Sequence, residues 1–238
     1  MTSREPLLPE HTVAVTPVHG LATAVTVLVG TTCAASVFST WTDWSTYWAV
    51  DDYLAERPGV TSQVLYDADQ VSTTGGLLYL AALLATAVVF LVWLWRARQN
   101  AVWIHRAEHR LTRGWVTGSW FVPVINLWFP YQVVDDIHRA SDPAAPYEAG
   151  STTQLRGSRL VAGWWIAWIA SNLIVAVATF ALDPTMTTAE GFQQYALIST
   201  VSTALECLAG VLLIQLVRQI SAWQTIPRAV PPPAPRWQ

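Results

Sequence analysis

Four stretches of this chain are each long and apolar enough to cross a lipid bilayer, and they leave little choice of fold. They cover residues 20–38, 75–95, 160–182 and 195–217, with lengths of 19, 21, 23 and 23 residues. A helix needs about 20 apolar residues to traverse the hydrocarbon core, and no other open-ended structure can satisfy its backbone there. Charges make up 12% of the 238 residues, against about 25% in ordinary soluble domains. They cluster between the runs. Many of the 14 Trp sit near run ends, where the aromatic belts of membrane proteins lie. The expected fold is all-α: a polytopic helical membrane protein with four transmembrane helices.

The first run differs from a cleaved signal peptide, because one Arg and two Glu precede it in place of a basic cluster. Residues 1–18 read as a disordered N-terminus, 19–226 as a single membrane domain, and 227–238 as a Pro-rich disordered tail. Between the runs, 39–74, 135–159 and 183–194 read as polar connections. Residues 96–113 read as a basic helix with Ala97, Ala101, Ile104 and Leu111 on one face.

The stretch 114–134 (GWVTGSWFVPVINLWFPYQVV) is apolar but interrupted. Pro123 and Pro130 each remove a backbone donor and push the preceding residue out of helical geometry. It is expected to re-enter the membrane or lie in the interface, anchored by Trp115, Trp120 and Trp128; the alternative is a fifth, kinked span. Arginine counting separates the two. With four spans, 12 of the 13 Arg share the side of the termini and only Arg57 lies opposite; with five spans the division is six against seven. Basic residues concentrate on the cytoplasmic side, so both termini are expected to be cytoplasmic in a multi-pass protein of the cell membrane.

Within this region a family pattern is legible. Trp95, Arg96 and Asn100 follow a span; then come Trp120, Phe121, Pro123, Asn126, Leu127, Trp128, Pro130 and Tyr131, closed by Arg139, Ala140 and Ser141. The pattern resembles the actinobacterial integral-membrane family catalogued as domain of unknown function 4328. Thr112-Arg113 replaces the Pro that often precedes the Gly-Trp pair in that family. The resemblance implies a multispan membrane protein, supplies no activity, and makes the broken segment the place through which a shared function would pass.

Glu206 lies 11 residues from either end of its run, and Asn172 is at the same depth in the preceding one. A charge at that depth is costly unless paired or neutralised. One reading is interhelical glue, a neutral Glu206 bonded to Asn172 or to a hydroxyl. The other is a proton- or cation-handling carboxylate in a small transporter or channel, with Asn172, Asn126, Pro123, Pro130 and Trp128 along the path. A third constellation is His105-Arg106-Ala107-Glu108-His109, the H-x-x-E-H order of inverted zinc peptidases. On a helix His105 and His109 would share a face with Glu108 as base, and Asp135, Asp136 or His138 could add a ligand. The surrounding Arg96, Arg98, Arg106, Arg110 and Arg113 oppose cation binding and read more simply as a topology signal and a contact for anionic lipid headgroups. Asp135 and Arg139 are spaced as a helix-stabilising pair.

No catalytic, nucleotide-binding or nucleic-acid-binding motif stands out. The chain is expected to be a non-enzymatic structural or interaction protein of the membrane, with no cofactor and no nucleic-acid partner, and with a second copy or another membrane protein as candidate partner. The transporter and the membrane metallohydrolase are the alternatives.

Overall fold

A computed structural model describes residues 15–146, 148–181 and 188–226. The terminal segments expected to be disordered lie almost wholly outside these. Thr16 and Val18, at the edge of the first, are packed: the Thr16 backbone bonds the Asn100 side chain in both directions, at 3.0 and 2.8 Å, and Val18 is buried.

The described chain is helical and contains no strand, only one isolated bridge between Glu108 and Ser151. Its helices are α1 (His19–Leu54), α2 (Ser62–Ile104), α3 (Trp115–Gly118), α4 (Phe129–Ser141), α5 (Arg159–Ala181) and α6 (Ala189–Trp223). Four of them, α1, α2, α5 and α6, are long and apolar enough to cross a membrane. The chain runs up and down, with α1 packed between α2 and α6, and α5 on the far side of α6. Leu94, Ala97, Ala101, Val161, Leu216, Val217 and Ile220 form a tight core at one end. That cap end also gathers 105–158, whereas the α1–α2 turn marks the opposite hairpin end.

The polar stretch 39–74, expected to be a connection, is mostly helix. The first helix runs on to Leu54 and the second begins at Ser62. At 1.5 Å per residue α1 is about 54 Å long and α2 about 65 Å, well beyond the roughly 30 Å of a hydrocarbon core. The polarity of 39–74 therefore marks helix leaving the bilayer rather than helix ending. Arg57 closes the turn with an ion pair of 2.9 Å to Asp52.

The basic stretch fares the other way. Helix α2 stops at Ile104, so Ala97, Ala101 and Ile104 share its buried face, while Leu111 lies beyond its end. Residues 105–113 are irregular.

No helix in 114–134 can serve as a fifth span. Its longest helix, α4, has 13 residues and begins only at Phe129, giving about 20 Å of length. Pro130 sits in its first turn, where a missing N–H costs nothing. Before it come a four-residue helix and the 3-10 turn Ile125–Leu127. The reversal between them is a γ-turn: the Ile125 N–H donates to the Pro123 carbonyl at 2.8 Å, with Val124 at φ 69° and ψ −55°. That left-handed geometry strains a β-branched residue, at about 1–3 kcal/mol.

Candidate functional site

Three regions hold the polar and aromatic side chains singled out by sequence: a seam between α1 and α6, a clamp at the cap end, and the broken segment.

The seam contains Glu206. Asn172 is not its partner. The Asn172 side chain is exposed on α5 and donates to the Trp168 carbonyl of its own helix at 2.7 Å. Glu206 instead accepts from Ser36 Oγ of α1 at 2.7 Å and from the Tyr79 hydroxyl of α2 at 2.9 Å. These partners also move its depth. Ser36 lies near the end of the apolar run of α1, and Tyr79 near the start of that of α2. Counting along α6 alone puts Glu206 at mid-run, whereas its neighbours place it level with the hairpin-end quarter of their runs.

From Glu206 a file of hydroxyls continues towards the hairpin end. Ser36 Oγ meets Thr203 Oγ1 at 3.1 Å, and Thr203 meets Thr40 Oγ1 at 2.7 Å. Thr40 meets Ser199 Oγ at 3.2 Å, and Ser199 donates to Asp43 Oδ2 at 2.6 Å. The stripe on α1 is Ser36, Thr40 and Asp43; that on α6 is Ser199, Thr203 and Glu206. Both have steps of four and three residues, which keep side chains on one helical face. Sequence reading missed the match because Thr40 and Asp43 fall beyond the apolar run, in the presumed loop. Below Glu206 the seam closes. A Cβ on Gly210 would lie 2.8 Å from Cys33 Sγ, so glycine there lets α1 and α6 approach. Thr32 and Thr86 bond at 2.8 Å between α1 and α2.

The clamp is built on α4. Asp135 and Asp136 are buried at 0% and 1% relative exposure. Arg110 reaches both, with Nη2 2.7 Å from Asp135 and Nε 2.8 Å from Asp136, and its backbone N–H also donates to Asp136 at 2.8 Å. Arg139 approaches Asp135 at 2.8 Å and donates to the Leu155 carbonyl. Thr152 donates to Asp136 at 2.8 Å. Burial alone would lower the Arg110 guanidinium, but Asp136 and Asp135 outweigh it and hold it above its ordinary range. The anticipated i,i+4 pair thus exists as one arm of a buried network tying 105–113, α4 and 152–155 together. Gly157 leaves room for the Arg139 guanidinium, since a Cβ there would lie 2.7 Å from Nη2. A second network joins Asn100 to Gln224 at 3.0 Å and Gln224 to Ser141 at 2.9 Å.

The H-x-x-E-H residues lie off any helix, so the expected shared face of His105 and His109 does not form. His105 Nδ1 accepts from the Ala107 N–H at 3.0 Å, which leaves Nε2 as donor to the Pro146 carbonyl at 2.9 Å. Glu108 uses its backbone, bonding Gly150 at 2.9 Å and Thr152 at 3.0 Å. Both His109 ring nitrogens are enclosed without a hydrogen-bond partner among the described residues. Burial pushes that imidazole down to about 3, and the nearby Arg98, His105 and Arg110 push the same way. His138 is also lowered by burial, partly offset by its bond to Gln219. Among the described residues no three His, Cys, Asp or Glu side chains come together as a metal-ligand set.

The broken segment is held by aromatics. Trp120 packs edge-on to Phe90 and Trp165, with centroids 5.6 and 6.0 Å away, and Trp165 Nε1 donates to the Leu127 carbonyl at 2.9 Å. Phe90 is near the cap end of the run in α2, and Trp165 near the start of that in α5, so the segment is shallow. Phe121 and Val124, 71% and 66% exposed, point away from the bundle together with Leu127 and Trp128. Pro123 lies on the same exposed side, while Asn126 is half-buried and bonds Val122 through its backbone at 3.0 Å. None of these residues hydrogen-bonds to Glu206, so the residues proposed for a single path fall in three separate places: the seam, the exposed face of α5 and the broken segment.

Four long apolar helices, a shallow Trp/Pro segment and a buried Arg–Asp clamp define an all-helical, four-span membrane protein. Residues 56–222, more than half of the chain, match the family described as Domain of unknown function (DUF4328), and the chain belongs to that family. The match includes the clamp, the broken segment and Glu206. No curated protein and no solved structure matches the chain.

Proposed function

We propose that this chain is a non-enzymatic structural and interaction protein of the cell membrane, with its cap end and both termini in the cytoplasm. The observation that carries the reading is the occupation of Glu206: the one acidic residue inside an apolar run is bonded to two other spans, α1 and α2, at 2.7 and 2.9 Å. An acid within an apolar run that is used this way ties helices together. The other interhelical polar bonds act likewise, Thr32 to Thr86 at 2.8 Å and Trp93 to Ser221 at 3.0 Å.

The orientation rests on charge. Among the described residues nine Arg lie at the cap end and only Arg57 at the hairpin end. Arg96 and Arg113, exposed at the cap end that also carries the apolar tip Phe121–Trp128, suit a surface of anionic headgroups, each Arg worth about 1 kcal/mol. Cysteines introduced at Arg57 and Thr188 should label from outside, and one at Glu148 only after permeabilisation, in a Cys33→Ala/Cys207→Ala background.

The function itself is tested by reconstitution. Proteoliposomes should show no proton or sodium flux above empty vesicles, and Glu206→Gln should leave this unchanged while cross-linking captures a stable assembly. A flux above background that Glu206→Gln abolishes would replace this reading with the transporter.

A further inference from the structure

Between the carboxyls of Asp43 and Glu206 lie five oxygen–oxygen contacts of 2.6–3.2 Å, carried by four hydroxyls, those of Ser199, Thr40, Thr203 and Ser36. Among the described residues each of the four hydrogen-bonds only to its two neighbours in the file, and none turns back to its own helix backbone as Thr32 and Thr86 do at 3.0 and 2.8 Å. A hydroxyl donates one proton, and an ionised carboxylate only accepts. Four hydroxyl protons cannot fill five contacts. With both carboxylates ionised, one adjacent oxygen pair would face lone pair to lone pair in an apolar setting, where an unmade bond costs most.

We propose that Asp43 and Glu206 hold one proton between them, making the seam a proton-binding site filled from the hairpin side. With the proton on Glu206, every hydroxyl points towards Asp43. With it on Asp43, every hydroxyl points towards Glu206. In passing from the first state to the second, Glu206 loses its O–H bond, each of the four hydroxyl oxygens loses one O–H bond and gains another, and Asp43 gains one, so five O–H bonds break and five form. Nothing is oxidised or reduced, and the negative charge changes ends.

The surroundings favour retention of that proton. The titratable groups facing the two carboxyls are Tyr79 from α2, Cys33 from α1, and Cys207 and Tyr195 from α6, all neutral in their ordinary state. No Arg or His forms an ion pair with either carboxyl among the described residues. Asp43 is level with Trp44 and Tyr195, where an interfacial belt meets water, so protons enter at that end.

Infrared spectroscopy of the reconstituted full chain tests this directly, because a protonated carboxyl has a carbonyl band distinct from carboxylate. At neutral pH the unaltered protein should show one such band, titrating as a single proton, and Asp43→Asn/Glu206→Gln should lack it. Thr203→Val divides the file, leaving each carboxylate a donor of its own, so the surplus proton is no longer required. The band should persist in that variant but lose proton affinity by about tenfold, roughly the worth of one buried hydrogen bond. If Thr203→Val does not fold, Thr40→Val cuts the same file and should shift the band the same way. Absence of the band in the unaltered protein, its survival in the double variant, or an unchanged midpoint when the file is cut would each overturn the proposal. The result is independent of flux, since a shared proton need not cross the membrane.

Discussion

The seam and the clamp both join distant parts of the chain through buried polar groups, and they use opposite chemistry. The clamp sets Arg110 and Arg139 against Asp135 and Asp136 at 2.7–2.8 Å, with backbone and hydroxyl donors filling in. The seam uses hydroxyls, and its two carboxyls have no basic partner among the described residues. Solvation explains the difference. At the cap end the Arg stems reach solvent, their side chains being 25% and 16% exposed, so desolvation is incomplete and full ion pairs are tolerated. Within an apolar run each charge costs several kcal/mol, and neutral donors on small side chains join the helices with less penalty. A clamp made of charges fails when one member is lost. A seam made of hydroxyls loses strength in small steps.

That contrast can be broken at its strongest point first. Asp135→Ala should cost about 3 kcal/mol, because it leaves the partly exposed Arg139 with carbonyls alone and takes one of two carboxylates from Arg110. Thermal unfolding in detergent would measure it, with the loss expected in the cap and the four-span bundle remaining helical by circular dichroism. An equal loss of helix in all spans would mean that clamp and bundle unfold as one unit.

The seam's own weak point is steric. Gly210→Ala would put a methyl group 2.8 Å from Cys33 Sγ and 3.1 Å from Val29. About 1–3 kcal/mol of destabilisation is expected from such overpacking, and disulfide trapping between Cys33 and Cys207 would report the widened gap as slower cross-linking.

Acid should reach the clamp end through His109. Its pKa falls from the ordinary 6.5 to about 3 in the fold. Above 6.5 neither folded nor unfolded protein protonates it and its full contribution is present. As pH falls from 6.5 towards 3 only the unfolded chain takes the proton, so stability declines, by at most about 1.4 kcal/mol per pH unit. Replacing His109 with Gln should flatten that part of the stability–pH curve, leaving a smaller slope of the same sign from His138. The smallest effect belongs to a single hydroxyl pair between α1 and α2. Thr86→Val removes the 2.8 Å bond to Thr32 and should cost about 0.6 kcal/mol, the average for such bonds in membranes.

Much of the architecture was legible in the chain because the bilayer imposes a length and a polarity on every span. The four runs, the Pro-broken segment that fails to cross and the clustering of Arg at one end followed from residue types and counts. Element ends were less legible. Polarity at 39–74 marks where helix meets water and carries no instruction to stop, so α1 and α2 continue past it. The H-x-x-E-H order was legible as letters, but its chemistry required a helix that ends at Ile104.

Counting also pointed to Glu206, since an acid in an apolar run is costly wherever it packs. Its partners were beyond reach of any count. Asn172 lies at the matching position in the adjacent run, but α5 turns it away, while Ser36 and Tyr79 reach Glu206 from helices 170 and 127 residues distant in sequence. Position along a run can be read from that run alone, but the depth of Glu206 had to be corrected by its partners on α1 and α2. The relative shift and rotation of neighbouring helices are set by how their side chains interlock, at Gly210 against Cys33 and at Trp120 against Phe90 and Trp165. Composition and patterning thus determined that this chain crosses the membrane four times, and tertiary packing alone decided which polar groups meet inside it.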